Sequence, residues 1–316
     1  MGNPIDAVNK VYNNVNDFVV GLSTGDKNVK KVKFPPIFSG YGSVQNVNTS
    51  FKAGTTADIG NTNITLGLFS ENKYVNEFRL ASDKDLSGEE YEILLKSLFK
   101  DYSIDGCVIA SVVEELNIKF KRAVDNVFGI KSVFVASDIE LGINVSTDNP
   151  REVGADRLAN AVAAANLYDG AVIVIDFGTA TSFDIINSKR EFLGGVIAPG
   201  INTQMKCLKN STSKLPKIDV SISKNAIGHN TTDAILSGVI RGTACMVDGL
   251  VAQCEAELGE KVTVVATGGY CGLIANYLNR PFDDINQTLT LEGLKQIYYM
   301  NTTKTSKTKY QNLAIV

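Results

Sequence analysis

Two loops of the chain combine an aspartate with a glycine and with hydroxyl or amide side chains. The first spans residues 58–63 (Asp-Ile-Gly-Asn-Thr-Asn), and the second spans residues 176–181 (Asp-Phe-Gly-Thr-Ala-Thr). Glycine lets the backbone approach a phosphate closely, and the following amide and hydroxyl groups can donate to its oxygens. A tight hairpin uses the same residue types, so one copy alone is weak evidence. Two copies at equivalent places indicate a phosphate-binding site.

A carboxylate and a guanidinium stand side by side at Asp156 and Arg157, where an Ala-rich helix is predicted to start. A phosphoryl acceptor needs a base near its hydroxyl and a donor that fixes the rest of the molecule. Asp156 suits the first role and Arg157 the second. Alternatively, Asp156 binds first-turn amides while Arg157 makes a surface ion pair. These residues alone leave both interpretations open.

Two further features can serve a nucleotide site, and the single histidine is not assigned to it. Gly268 and Gly269 follow an apolar strand and precede a helix, so they form either an approach point for the nucleotide or a close turn. Asp58, at a strand end, can hold Mg²⁺ directly or through water, because this ion favours one or two carboxylates plus phosphate oxygens. The single histidine, His229, lacks partner groups in the sequence and is interpreted as structural or exposed.

The elements that must position these residues alternate between strand and helix. In the first part, strands are predicted at residues 63–69, 74–80, 106–113 and 132–136, and helices at 89–100, 114–128 and 152–168. In the second part, strands are predicted at 171–175, 182–186 and 262–266, and helices at 232–258, after 269 and at 291–299. A turn at residues 70–73 joins the first two strands. The alternation predicts α/β architecture, and the repeated strand–loop–strand pattern predicts two similar halves with a cleft between them.

The ends of the chain differ from this core. Residues 1–53 are predicted to be an extension of unknown role with a short helix near residues 4–18, and residues 302–316 a tail. The half-domains are predicted at residues 54–170 and 171–301. Residues 51–57 contain few large apolar side chains and predict a weak first strand, unlike the continuous apolar run at 171–175.

Composition excludes several classes of protein. The chain has 316 residues, of which 44% are apolar, and a formal net charge of −3, which argues against nucleic-acid binding. Its five cysteines are scattered and never paired as CxxC, so neither a disulfide framework nor a zinc site is expected. No apolar run reaches the ~18 residues of a membrane span, and no signal peptide is evident. These features predict a cytoplasmic protein without membrane partners.

Five segments in this order resemble the type III pantothenate kinases, members of the superfamily of acetate and sugar kinases, Hsp70 and actin. They are DIGNTN (58–63), NPREVGADRLANA (149–161), IDFGTATSFD (175–184), GGVIAPG (194–200) and ATGGY (266–270). The resemblance covers roughly residues 58–301. It implies two actin-like (ribonuclease H-like) half-domains and phosphorylation of pantothenate by MgATP. The product, 4′-phosphopantothenate, is that of the first step of coenzyme A biosynthesis.

The resemblance also implies roles for individual residues. The ATP phosphates would lie against Asp58, Ile59, Gly60, Asn61, Thr62, Asn63, Ile64, Thr65 and Thr179. Gly154, Ala155, Asp156 and Arg157 would bind pantothenate, with Asp156 as the proton acceptor. Asp176 would help to bind the K⁺ or NH₄⁺ that the family requires. The family forms homodimers in which a threonine near the subunit interface contacts substrate, and Thr231 fits that position, with Thr232 as the neighbouring alternative.

Two other functions remain compatible with the sequence. The weak first strand and the N-terminal extension suggest a non-catalytic accessory or regulatory protein on the same scaffold. Thr147 stands where many family members carry a tyrosine that contacts substrate, which suggests a kinase for another hydroxylated metabolite.

Overall fold

The structure is a computed structural model that describes residues 53–70, 73–211 and 218–302. The predicted N-terminal helix at 4–18, the central turn residues 71–72, and most of the predicted extension and tail lie outside the described residues.

The first half is built on a five-stranded sheet with the order β3-β2-β1-β4-β5. Its strands are β1 (Ala53–Ile59), β2 (Asn63–Ser70), β3 (Lys73–Ala81), β4 (Ile104–Ser111) and β5 (Val133–Phe134). Strands β1, β2 and β3 form an antiparallel meander, and β4 pairs in parallel with β1.

The second half repeats this path in a six-stranded sheet. Its strands are β6 (Asn144–Val145), β7 (Ala171–Phe177), β8 (Ala180–Ile186), β9 (Glu191–Pro199), β10 (Val262–Gly268) and β11 (Asp284–Ile285). Strands β7, β8 and β9 form an antiparallel meander, and β10 pairs in parallel with β7. The order β9-β8-β7-β10-β11 matches that of the first sheet, with β6 added beside β9. This duplication confirms the predicted α/β fold with two similar, actin-like halves.

The helices cover the sheets and fill the space between them. The α-helices are α1 (Gly88–Leu98), α2 (Glu114–Phe128), α3 (Ala155–Leu167), α4 (Ile201–Ser211), α5 (Thr231–Leu236), α6 (Gly242–Leu258), α7 (Cys271–Ile274) and α8 (Leu289–Thr302). Single 3₁₀ turns occur at Pro150–Glu152 and Ala275–Tyr277, and a π-helical segment at Ser237–Arg241 joins α5 to α6. A reciprocal capping box between Ser87 and Glu90 starts α1, and Gly129 ends α2 with φ of +65°.

Helix α3 packs on both halves because its alanine-rich surface is apolar on more than one side. Leu158 and Val162 share a buried cluster with Ala110 of β4. Ala164 instead belongs to a buried cluster with Val174 of β7. Helix α8 packs beside α3 and also contacts β1 and β4. Consequently the first turn of α3 lies between the two sheets.

The sequence predicted a weak first strand, and the structure shows that this prediction is wrong. β1 is a central strand, buried along most of its length, and it pairs with both β2 and β4. The hydroxyl of Thr55 donates to the Gly67 carbonyl at 3.0 Å, so its polar group is satisfied in the sheet. A side chain at Gly54 would overlap the ring of Phe69, so the small residue makes room for a large apolar neighbour. A strand with few large residues is thus buried because its neighbours supply the bulk.

Several other predicted boundaries shift. The helix predicted at 152–168 begins as an α-helix only at Ala155, after the 3₁₀ turn. The strand predicted at 132–136 contracts to Val133–Phe134. Strand β9 and helix α4 were not predicted from periodicity, because Gly194 and Gly195 interrupt the apolar pattern of β9. The predicted half-domain limits at 53/54, 170/171 and 301/302 stay predictions.

Within the described residues, one helical stretch, Thr231–Leu258, is long and apolar enough to cross a membrane by length and composition. Its residues Val239, Ala244 and Val251 pack in the core of the second half, and 44% of its most apolar window is buried. A core helix passes the same test, so this feature is weak evidence for a membrane span.

Candidate active site

Asp58 lies at the carboxyl end of β1, on the face of the first sheet that is turned toward α3. Ala57 and Ile59, its chain neighbours, point into the opposite core, because successive strand side chains alternate between faces. The β1–β2 hairpin closes with the Gly60 amide donating to the Asn63 carbonyl at 3.0 Å. Asn61, Thr62 and Asn63 are exposed at this turn, whereas Ile59 and Ile64 are buried beneath it. The predicted phosphate loop is therefore a tight hairpin that presents polar groups to solvent.

Asp58 also belongs to a row of paired residues that runs across the sheet. It pairs with Thr65 of β2, and Thr65 pairs with Arg79 of β3. Paired residues project from the same face, so all three side chains stand on the α3 side. Arg79 is 62% exposed and ion-pairs with Glu77 at 3.5 Å. This row adds a cation that the sequence analysis did not single out.

Asp176 occupies the equivalent position in the second half, at the carboxyl end of β7. Val172 and Val174 on the same face pack against α3, so the side chain of Asp176 continues toward the start of that helix. The turn after β7 closes with the Gly178 amide donating to the Ala180 carbonyl at 2.9 Å. Thr179 at this turn is exposed. The second predicted phosphate loop thus has the same hairpin form as the first.

The first turn of α3 carries Asp156 and Arg157. Gly154 occupies the N-cap position, and the Arg157 amide donates to Asp156 Oδ1 at 2.8 Å. One of the two oxygens of Asp156 therefore accepts a hydrogen bond from a first-turn amide, as the alternative interpretation expected. A side chain at Gly154 would come within 2.6 Å of Asp156 Oδ1, so the glycine of the GADR motif leaves space for this carboxylate. Ala155 is buried beside it.

The three aspartates converge. Burial, and then the negative charges of Asp156 and Asp176, raise the pKa of Asp58 to about 8, while Arg79 opposes this rise. Burial and the charge of Asp156 raise the pKa of Asp176 to about 6. Burial also raises the pKa of Asp156, against the hydrogen bond and the charge of Arg157. Electrostatic effects of this kind fall off with distance, so the three carboxylates lie near one another.

A fourth acidic residue, Asp184, was missed by the sequence analysis. It is fully buried in β8 and accepts a hydrogen bond from Arg157 Nε at 2.6 Å. Burial raises the pKa of Asp184 to about 7, although the charge of Arg157 opposes this rise. Arg157 therefore makes a buried ion pair rather than the surface ion pair considered from the sequence. The run Ser182-Phe183-Asp184-Ile185 alternates like a half-exposed strand, so only the fold reveals that both faces are covered.

The two glycines after β10 are placed differently from each other. Gly268 adopts φ of +86°, and a side chain there would come within 2.7 Å of Asp176 Oδ1. This geometry supports the close-turn interpretation for Gly268. Gly269 is exposed and has open space where a side chain would stand. Contact of either glycine with a nucleotide stays a prediction.

The two predicted substrate residues outside the GADR motif, Thr147 and Thr231, lie in different parts of the second half. Thr147 follows β6 and lies against Gly194, and its Oγ1 is buried without a hydrogen-bond partner among the described residues. Thr231 is exposed at the start of α5, with Asn230 as the N-cap. It lines an open groove of about 810 Å³ between α4 and α5, together with His229. None of the four clustered aspartates lines this groove.

The donor set can be tested for a metal ion. Among the described residues, no group of three His, Cys, Asp or Glu side chains is arranged to hold a metal by itself. Mg²⁺ commonly takes only one or two carboxylates and completes its coordination with phosphate oxygens and water. Asp58 and Asp176, at facing strand ends, fit that second pattern.

The duplicated fold, the paired hairpin loops and the acidic cluster at the strand ends define a two-lobed enzyme built for phosphoryl transfer. Comparison with known proteins names the family. A model of the type III pantothenate kinase family matches residues 56–253. The chain belongs to the type III pantothenate kinase family, which confirms the resemblance and makes the protein an ATP-using kinase.

The relatives support this assignment over most of the chain. The type III pantothenate kinase of Myxococcus xanthus is 39% identical over 249 residues, covering 77% of this chain and 97% of that protein. The enzyme of the same name from Dehalococcoides mccartyi is 43% identical over 249 residues, covering 77% and 94%. The solved structure of MreB5 of Spiroplasma citri bound to ADP has a TM-score of 0.47 and 12% identity, covering 84% and 99%. The fold assignment itself rests on the duplicated strand order.

Proposed function

We propose that this chain transfers the γ-phosphoryl group of ATP to the terminal hydroxyl of pantothenate, giving 4′-phosphopantothenate and ADP. The single observation that carries the proposal is the convergence of Asp58, Asp156 and Asp176 between the two sheets, in a chain of this family. Phosphoryl transfer needs accurate positioning and neutralisation of charge more than covalent help from the protein.

Asp156 acts as the proton acceptor. The substrate hydroxyl oxygen forms a bond to the γ-phosphorus, and its proton moves to Asp156. The bond between the γ-phosphorus and the bridging oxygen breaks, and ADP leaves with that electron pair. The raised pKa of Asp156 supports this role, because a carboxylate with a higher pKa is a better base near neutral pH.

Residues from both halves bind the nucleotide phosphates. The loop from Asp58 to Asn63, together with Thr65 and Thr179, supplies amide and hydroxyl donors. Arg79 adds positive charge on the same face as Asp58 and Thr65. Gly154, Ala155 and Arg157 bind pantothenate, whose carboxylate is a suitable partner for a guanidinium. Thr147 and Thr231 complete the substrate contacts.

Cations are part of this proposal. Asp58 would hold Mg²⁺ together with phosphate oxygens, and Asp176 would help to hold K⁺ or NH₄⁺. A bound cation supplies positive charge beside the transferred group and beside carboxylates that burial otherwise disfavours as anions. We also propose that the protein is a homodimer, with Thr231 near the subunit interface, and that it works in the cytoplasm. Sedimentation equilibrium of the purified chain tests the dimer, and a mass of one chain at micromolar concentration would reject it.

The accessory-protein alternative is less well supported, because its motive was a weak first strand and β1 is a buried central strand. The direct test is formation of ADP and 4′-phosphopantothenate by the purified protein, with Mg²⁺ and with or without K⁺. Asp156→Asn should lower kcat by about 10²–10⁴-fold, which is the usual contribution of a positioned base. It should keep the circular dichroism spectrum of the wild type. A folded wild type that makes no phosphopantothenate under any cation condition would refute the proposal.

A further inference from the structure

The reaction proposed above assigns no role to Asp184, although this residue contacts Arg157 directly. The residue sits in the middle of β8, pairs with Val174 of β7, and is 0% exposed. Removing a carboxylate from water is costly, and a well-packed apolar residue often stabilises a core at least as well as a buried ion pair. A stabilising role alone therefore gives little reason for an aspartate at this position.

The contacts of Asp184 fix the orientation of Arg157. Arg157 Nε donates to Asp184 Oδ1 at 2.6 Å, and Arg157 Nη2 donates to the Phe183 carbonyl at 3.2 Å. The guanidinium also lies over the ring of Phe192, 5.4 Å from its centroid. A side chain at Gly195 would come within 2.6 Å of Arg157 Nη2, so this glycine leaves the space that the guanidinium occupies. Among the described residues, Arg157 Nη1 has no hydrogen-bond partner, which leaves it for a ligand.

The second oxygen of Asp184 faces a side-chain network that reaches the start of α8. Asn160 Nδ2 lies 3.5 Å from Asp184 Oδ2. Thr290 Oγ1 donates to Asn160 Oδ1 at 2.8 Å. Because the Thr290 hydroxyl holds the amide oxygen, the amide nitrogen is directed toward the carboxylates of Asp184 and Asp176. Three elements, α3, β8 and α8, thereby combine to hold one carboxylate.

We propose that Asp184 is a positioning residue that aims the Arg157 guanidinium at the carboxylate of pantothenate, and that Asn160 and Thr290 hold Asp184 in place. This inference rests on the proposed function, in which Arg157 binds pantothenate. It adds the residues that set the geometry of that contact. A guanidinium contacts a carboxylate through one or two N–H groups, and this geometry depends on the orientation of the guanidinium plane. A rotated Arg157 would therefore bind substrate poorly while keeping its charge.

The experiment compares the kinetics of Asp184→Asn with those of the wild type. Asparagine has nearly the same size, but its amide nitrogen must face one of the two donors, Arg157 Nε or Asn160 Nδ2. In either orientation Arg157 loses its anionic partner, and the KM for pantothenate should rise by about tenfold to a hundredfold, as expected when a hydrogen bond between charged groups is lost. The KM for ATP should change by less than about twofold, because phosphate binding uses other residues.

A double-mutant cycle separates positioning from general destabilisation. In an Arg157→Gln background, adding Asp184→Asn should change kcat/KM for pantothenate by less than about twofold, because there is no guanidinium left to aim. Additive effects of the two substitutions would overturn the proposal. So would a folded Asp184→Asn protein whose KM for pantothenate is unchanged.

Two further variants keep the test decisive. Glu255→Gln removes the acidic partner of the ion pair with Arg280, 2.8 Å long and in the same half, and should leave the KM for pantothenate unchanged. If Asp184→Asn does not fold, Thr290→Val removes only the hydroxyl that orients Asn160, and should raise this KM by about two- to tenfold. An unchanged KM in Thr290→Val would overturn the proposal. A wild type without pantothenate turnover would instead reject the proposed function, so the two failures are distinguishable.

Discussion

At the residue scale, the site brings several aspartates together in a buried region, where the ionised form of a carboxylate is energetically unfavourable. The negative charge of Asp156 raises the pKa values of Asp58, Asp176 and Asp184, and that of Asp176 raises the pKa values of Asp58 and Asp184. Arg157 balances part of this charge through its ion pair with Asp184 at 2.6 Å. Such an arrangement favours the binding of further positive charge, which is what a site for metal-bound phosphates requires.

The charge of Asp58 should make the ligand-free protein less stable as the pH rises from about 4 to about 8. Its pKa is about 8 in the fold, against about 3.9 for an unperturbed aspartate. The folded state therefore binds more protons than the unfolded state between about pH 4 and pH 8, so the free energy of unfolding falls as pH rises through this window. The substitution Asp58→Asn removes the contribution of this carboxyl group to the fall in the free energy of unfolding. Urea unfolding without ligands should show the variant gaining stability over the wild type from pH 5 to pH 8.

Asp125 provides a control of opposite sign. Burial raises its pKa, but hydrogen bonds from Lys121 and Ser132 outweigh this effect and lower it overall. The stability contributed by Asp125 is thus present above the unfolded pKa and is lost as pH falls through the lower folded value. Asp125→Asn should be less stable than the wild type at both pH 5 and pH 8. Equal pH dependence in wild type and Asp58→Asn would contradict the burial of Asp58 among other carboxylates.

At the element scale, strand register decides which side chains share the cleft. The strand-like segments of β2 and β7, the latter a continuous apolar run, were readable from the sequence, and these strands form close to the predicted residues. Their pairing partners were not readable, because register depends on contacts between distant segments. Arg79 illustrates this limit. It is an ordinary surface arginine by sequence, yet pairing through Thr65 brings it into the row of Asp58.

Arg79→Gln should weaken nucleotide binding. The substitution removes a cation from the row that ends at Asp58, and we expect the KM for ATP to rise by about tenfold, the lower limit for a hydrogen bond to a charged group. The KM for pantothenate should stay within about twofold. Arg122→Gln is the matched control, since Arg122 is an exposed arginine on α2, which packs on the opposite face of the same sheet. Equal ATP kinetics in the two variants would place Arg79 outside the phosphate site.

The end of β10 should tolerate no side chain. Gly268 has φ of +86°, and a methyl group there would press on Asp176 Oδ1 and the Phe177 backbone. Gly268→Ala should lower the free energy of unfolding by about 1–3 kcal/mol and reduce kcat. Gly249→Ala, at an open position on α6, should instead be neutral or stabilising by up to about 1 kcal/mol. Chemical denaturation of both variants checks the difference, and similar values would mean that the turn is not constrained.

At the scale of the whole molecule, duplication was predictable but convergence had to be observed. The repeated loops at 58–63 and 176–181 revealed two halves, because each half carries its own strand–turn–strand signal. The meeting of Asp58 with Asp176 depends on how α3 and α8 pack between the sheets. Gly293 allows that packing, since a side chain there would overlap the Ala159 backbone. In the sequence, the only sign of such a close helix contact is a glycine. A glycine is equally compatible with a turn or a helix end.

Ligands that bind between the halves should stabilise the molecule as one unit. Asp58 belongs to the first sheet and Asp176 to the second, whereas Asp156 and Arg157 start the helix that contacts both. At a hundredfold excess over Kd, one ligand adds about 2.7 kcal/mol to the free energy of unfolding, which corresponds to several degrees in Tm for a protein of this size. Scanning calorimetry with MgATP and pantothenate should therefore show one transition moving upward. Asp58→Asn should lose the shift with MgATP and keep the shift with pantothenate, while Arg157→Gln should do the reverse. Two separate transitions, of which only one responds to ligand, would mean that the halves unfold independently and that the ligands do not bridge them.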